Sequence, residues 1–139
     1  MTQLVRSLLV NIDVPDVEAA TRFYVETFEL VVGRRLGSAG VELLGAGSPI
    51  YLLPKAEGSL PFAGAVSARA YMRHWTPVHL DFEVSDITAA RNRALSNGAT
   101  SESGITDHAF GRMALLVDPF GHGLCLIELN TRGYDAIAT

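Results

Sequence analysis

Thiols are nearly absent: the chain holds one cysteine, Cys125. No intrachain disulfide framework can form, and a reducing compartment, the cytoplasm, is expected. No apolar stretch approaches the ~20 residues that a bilayer-spanning helix needs. The opening MTQLVRSLLVNIDVPD reads as the approach to a strand, without an apolar h-region or a small-residue cleavage site. Neither a membrane nor secretion is therefore expected. Basic character is lacking too, because the 11 Lys and Arg are scattered and outnumbered by 15 Asp and Glu, for a net charge of −4. With no basic run or stripe, nucleic acid is not an expected partner. What the chain does have is apolar material, 48% of 139 residues, enough for the core of one domain spanning 1–139.

That domain is built on an internal repeat. VNIDVPDVEAA (10–20) and LDFEVSDITAA (80–90) superpose without gaps at an offset of 70 residues, and Val14, Asp16, Ala19 and Ala20 meet identical partners in Val84, Asp86, Ala89 and Ala90. In the first copy Leu8, Val10, Ile12 and Val14 alternate with Leu9, Asn11 and Asp13, the period of a strand. Asp16 suits an N-cap, its carboxylate facing the free amides and positive dipole end of a helix over about Val17–Glu29. Val17, Ala20, Tyr24, Phe28 and Val31 recur at three- and four-residue spacing, predicting the stripe that packs on the sheet. Short apolar segments at 32–36, 41–44 and 50–53, parted by glycine-bearing turns, predict three antiparallel strands.

The second copy predicts the same order: a strand at 78–84, a helix over 87–97 with Gly98 at C′, and strands near 100–106, 112–117 and 124–129, the last two joined by the turn Asp118-Pro119-Phe120-Gly121. Module one thus spans 4–53 and module two 75–129, with a linker at 54–74 and a C-terminal tail at 130–139. The fold class is α+β, two tandem βαβββ modules.

This tandem unit, with FYVETFEL in its first helix, HLDFEVSD opening the second copy and LLVDPFGHGLCLIEL closing it, resembles the vicinal oxygen chelate superfamily, the glyoxalase, bleomycin-resistance and dioxygenase group. The resemblance covers about residues 4–129. It implies a half-open, eight-stranded mixed-sheet cup, often completed in a homodimer, with a divalent metal on the concave face. It also implies four ligand positions, on the first and last strand of each module. Carried over, these fall on Leu9, near Tyr51, on His79 and on Cys125. Leucine cannot ligate a metal, and one imidazole does not hold zinc, nickel, manganese or iron unaided. Glu128 joins His79 and Cys125 as a donor only if a bulge at 121–123 shifts the strand register. No cofactor is therefore expected, and a divalent metal is the alternative.

Strand parity indicates what lines the concave face. With Leu80, Phe82 and Val84 under the helix, His79, Asp81 and Glu83 face the other way, as do Leu9, Asn11 and Asp13; Cys125 and Ile127 join them from the last strand. Candidate ligand-binding residues are Leu9, Asn11, Tyr51, His79 and Cys125, with Tyr71 and Trp75 from the linker stretch Arg69–Trp75 and Phe110 and Arg112 from the opposite rim. Arginines there could fork onto a carboxylate while rings stack. As solvated linker arginines and anchoring rings, the same residues would do nothing chemical. His79 could equally be bonded to Asp81 or Asn11, and Cys125 could be a small core hydrophobe. If the chain is catalytic, His79 and Asp81 are the candidate proton-transfer groups.

The missing ligands favour a small-molecule-binding protein over an enzyme, with a glyoxalase-like lyase or isomerase using an atypical His79 metal site as the alternative. Dioxygenase chemistry, which needs two histidines and a carboxylate on one iron, fits least.

Overall fold

The computed structural model describes residues 3–139. The chain divides into two compact units, the first ending at Tyr71 and the second beginning at Met72.

In the first unit β1 (Val10–Val14) runs into α1 (Val17–Phe28), followed by β2 (Val31–Arg35), β3 (Val41–Leu44) and β4 (Ile50–Pro54). The strand order is β1-β4-β3-β2, with β1 parallel to β4 and the other pairs antiparallel. Asp16 caps α1, its Oδ1 accepting from the amides of Glu18 (3.1 Å) and Ala19 (3.0 Å). Glu29 ends the helix in a left-handed conformation at φ 55°. The helix buries Ala20, Thr21, Phe23, Tyr24 and Thr27 against one face of the sheet, where Ile12, Val14, Val41, Leu43, Ile50 and Leu52 are buried. The predicted stripe lay slightly to one side of this face. Val31, beyond the Glu29 turn, opens β2 and is 62% exposed.

The linker does not run free. Its segment up to Tyr71 folds back on the first unit: the Gly58 amide donates to the Arg69 carbonyl, and the Arg69 amide donates to the Ser59 carbonyl. Arg69 Nε bonds Asp13 Oδ2 at 2.7 Å, and the Tyr71 hydroxyl donates to the Lys55 carbonyl at 2.6 Å.

In the second unit come β5 (Leu80–Glu83), α2 (Ile87–Ser96), β6 (Thr100–Ser101), β7 (Thr106–His108), β8 (Gly111–Val117) and β9 (Gly123–Leu129). The order is β5-β9-β8-β6, with β7 also on β8; β5 and β9 are parallel. The strand expected over 100–106 is two pieces, so the two sheets hold four and five strands. It breaks because the amides of Glu102 and Ser103 both donate to the Leu115 carbonyl, which leaves the chain out of register at Gly104.

Asp86 caps α2 by accepting from Ala89 N at 3.0 Å. Gly98, at φ +104°, takes the left-handed position past its end. The last hairpin turns on Asp118, which is 3% exposed and accepts from the amides of Phe120 (2.8 Å) and His122 (2.9 Å). Among the described residues no helix is long and apolar enough to cross a membrane.

Candidate functional site

Because side chains alternate along a strand, each sheet has one face under its helix and one open face. On the open face of the first unit every strand carries a polar residue. Asn11 is opposite Tyr51 and Tyr51 opposite Glu42, while Arg34 reaches Glu42 with Nη2–Oε2 at 2.7 Å. A register shift between Val32 and Arg35 turns Arg34 toward this face and lets Glu42 Oε1 accept from the Arg34 backbone amide at 3.0 Å. The Tyr51 hydroxyl donates to Glu42 Oε2 at 2.9 Å. These hydrogen bonds from Arg34 and Tyr51 hold the Glu42 carboxyl down at about 2. Glu42 was legible from the alternation in VELL, which sets it opposite Val41 and Leu43, but the sequence reading did not single it out.

The corresponding row of the second unit is nearly apolar: Asp81 on β5, Cys125 on β9 and Leu115 on β8. His79, just before β5, bonds Asp81 Oδ1 through Nδ1 at 2.8 Å. Cys125 is buried; its burial, the Asp81 charge and a hydrogen bond to that carboxylate push the thiol up to about 12. It is a neutral thiol at ordinary pH, not a nucleophile.

Over this row lies a cavity of about 510 Å³. Met113, Leu115, Leu124, Cys125 and His79 form one side, and the segment Arg73–Thr76 with Glu102 forms the other. Arg73 holds that segment down through two bonds to Glu102, Nε–Oε2 at 2.8 Å and Nη2–Oε1 at 2.9 Å, and a third from Nη1 to the His74 carbonyl. Its guanidinium lies against Gly123, where a Cβ would come 2.5 Å from Nη2. Neither Glu102 nor Gly123 was foreseen as part of the site.

Of the residues expected at a binding site, the cavity brings together His79, Cys125 and Trp75, with Asp81 behind them. Leu9, Asn11, Tyr51 and Tyr71 belong to the first unit. Phe110 and Arg112 do not line the cavity. Phe110 stacks on His108 (5.1 Å) and meets Tyr134 at a tilt (5.4 Å). Arg112 stands one residue out of step with Met113, so it faces the helix side and pairs with Glu128 Oε2 at 3.0 Å. Glu128 in turn accepts from the Ile87 amide at the start of α2. The β8–β9 register is unbroken from Gly111↔Leu129 to Val117↔Gly123, so the bulge that would redirect Glu128 is not formed.

The donor set of this wall does not fit a divalent-metal centre. Glu128 is on the wrong face, and among the described residues no three His, Cys, Asp or Glu side chains converge as ligands.

A family model described as a glyoxalase-like domain matches residues 9–127. The chain is 33% identical over 113 residues to an uncharacterized protein of Mycobacterium bovis, covering 78% of this chain and 74% of the relative. It is 32% identical over 123 residues to the anthracycline biosynthesis protein DnrV of Streptomyces peucetius, covering 86% of this chain but only 40% of that protein. Among solved structures, the antibiotic binding protein TnmS3 from a Streptomyces species superposes with a TM-score of 0.63 at 23% identity, over 94% of this chain and 100% of its own.

Proposed function

Because this chain belongs to the glyoxalase-like domain family, we propose that it is a small-molecule-binding protein that holds an apolar, planar ligand in the cavity of its second unit without a resident metal. One observation carries the reading: a cavity of about 510 Å³ with a largely apolar floor, in which the one histidine at a family ligand position is bonded to Asp81. That volume lies within the ~300–1,000 Å³ typical of ligand sites. Trp75, Met113 and Leu115 supply flat and apolar contact, and the few polar groups orient what enters. The names of two similar proteins, an anthracycline biosynthesis protein and an antibiotic binding protein, support a small-molecule ligand.

The reading predicts a thermal midpoint that rises with millimolar 2-naphthol, since a ligand that binds only the native state stabilises it by mass action, and less than a tenth of an equivalent of transition metal in protein purified without added metal. A stoichiometric metal lost in His79→Ala would overturn it.

The His79–Asp81 pair favours one second reading, proton transfer to or from a bound substrate as in a lyase or isomerase. A carboxylate on Nδ1 is the arrangement that orients an imidazole base. Turnover of a bound compound that disappears in His79→Gln would select it.

A further inference from the structure

The polar side of the cavity presents mainly acceptors. His79 Nδ1 faces a carboxylate oxygen, Asp81 Oδ1, at 2.8 Å, and His74 Nδ1 faces the Met72 carbonyl at 3.0 Å. Both partners accept, so each ring in its neutral form carries its proton on Nδ1 and leaves Nε2 as a bare lone pair. Neither Nε2 has a partner among the described residues. Thr76 spends its hydroxyl proton on the Val78 carbonyl at 3.0 Å. Glu102 is a carboxylate, an acceptor by nature, and its charge is matched by Arg73 through a bidentate pair.

Resting on the binding reading above, we infer that the ligand is a hydrogen-bond donor: a neutral planar compound bearing phenol-type O–H or N–H groups, with His79 and His74 accepting from it, rather than a carboxylate or phosphate. The chemistry of the wall disfavours the anion on two counts. The one guanidinium on the cavity is already forked onto Glu102, so a ligand carboxylate would compete with that pair. It would also meet the lone pairs of two neutral imidazoles, a hydroxyl oxygen and the Glu102 carboxylate, with only the Trp75 indole N–H and the remaining Arg73 N–H groups to donate. A phenol meets the opposite situation: its ring covers Met113 and Leu115, and its O–H completes an acceptor that would otherwise be stripped of water unpaired. The two arginines of the linker stretch, which in the sequence suggested a clamp for an acid, are both engaged internally, Arg69 by Asp13 and Arg73 by Glu102.

Three probes of one shape separate the possibilities by calorimetry on the full chain: 2-naphthol, 2-methoxynaphthalene, which keeps the oxygen but loses the proton, and 2-naphthoate. The wall predicts 2-naphthol tightest, with roughly a tenfold loss for the methyl ether, the order of one hydrogen bond, and 2-naphthoate weaker still. In His79→Phe, at a half-exposed position that tolerates a ring, the gap between naphthol and its ether closes while the ether binds as before. Unchanged binding of the ether by His79→Phe, together with an unchanged urea midpoint, shows that this variant is folded, and His74→Phe narrows the same gap if the second imidazole also accepts. Equal binding of naphthol and ether, or naphthoate in first place, overturns the donor inference and leaves the binding reading standing. No heat from any of the three removes the binding reading itself.

Discussion

At the scale of single residues, two buried acidic groups, Glu42 and Cys125, are handled in opposite ways. Glu42 is surrounded by donors, and its carboxyl is held low; Cys125 has a carboxylate for company, and its thiol is held high. The thiol's folded value is above its unfolded one, so its contribution to stability is full below about 9 and is lost as pH rises toward 12. Iodoacetamide at pH 8 should therefore leave Cys125 unmodified in native protein over hours and label it within minutes in urea, read by mass spectrometry; rapid labelling of the native form would contradict the neutral, buried thiol. The sequence shows why Cys125 is small and where it sits, but not this: the Asp81 opposite it follows only from the parallel pairing of β5 with β9.

Among the elements, the two helices begin with the same aspartate yet are not capped alike. Asp16 bonds two amides of α1 without help. Asp86 bonds one amide of α2, and Glu128 bonds another from β9. Losing an N-cap typically costs about 0.5–2 kcal/mol, so Asp16→Ala should fall in the upper half of that range and Asp86→Ala in the lower half by urea denaturation. Equal losses would mean that Glu128 contributes nothing to the cap. Both caps and the end of α2 were legible from Asp16, Asp86 and Gly98. The break between β6 and β7 was not, because it depends on one carbonyl, that of Leu115, accepting two amides, and no residue pattern announces a shared acceptor. Arg112 and Phe110 were misjudged for a simpler reason: near a rim they were counted with the site, whereas strand parity puts Arg112 on the helix side.

At the level of the whole molecule, the repeat made the architecture readable and left the chemistry only half so. His79 and Asp81 were placed by alternation, while the Arg73–Glu102 pair joins residues 29 apart in sequence, a contact that only folding reveals. Two carboxylates on different units, Glu42 and Glu102, have folded values below their ordinary ones. Each contributes stability that is present above the unfolded value, ~4.3 for glutamate, and is lost as pH falls toward the folded one. The urea midpoint of the protein should accordingly drop as pH is lowered from about 4.5 toward 2, and Glu42→Gln should flatten that slope; an unchanged slope would mean that the Arg34 pair is too solvated to matter.

The chain's sole tryptophan, Trp75, stands 74% exposed on the wall that a ligand must pass or cover. A compound that covers this indole changes its surroundings, so the protein carries its own optical reporter, and its light emission can follow the arrival of an unlabelled compound without any dye attached.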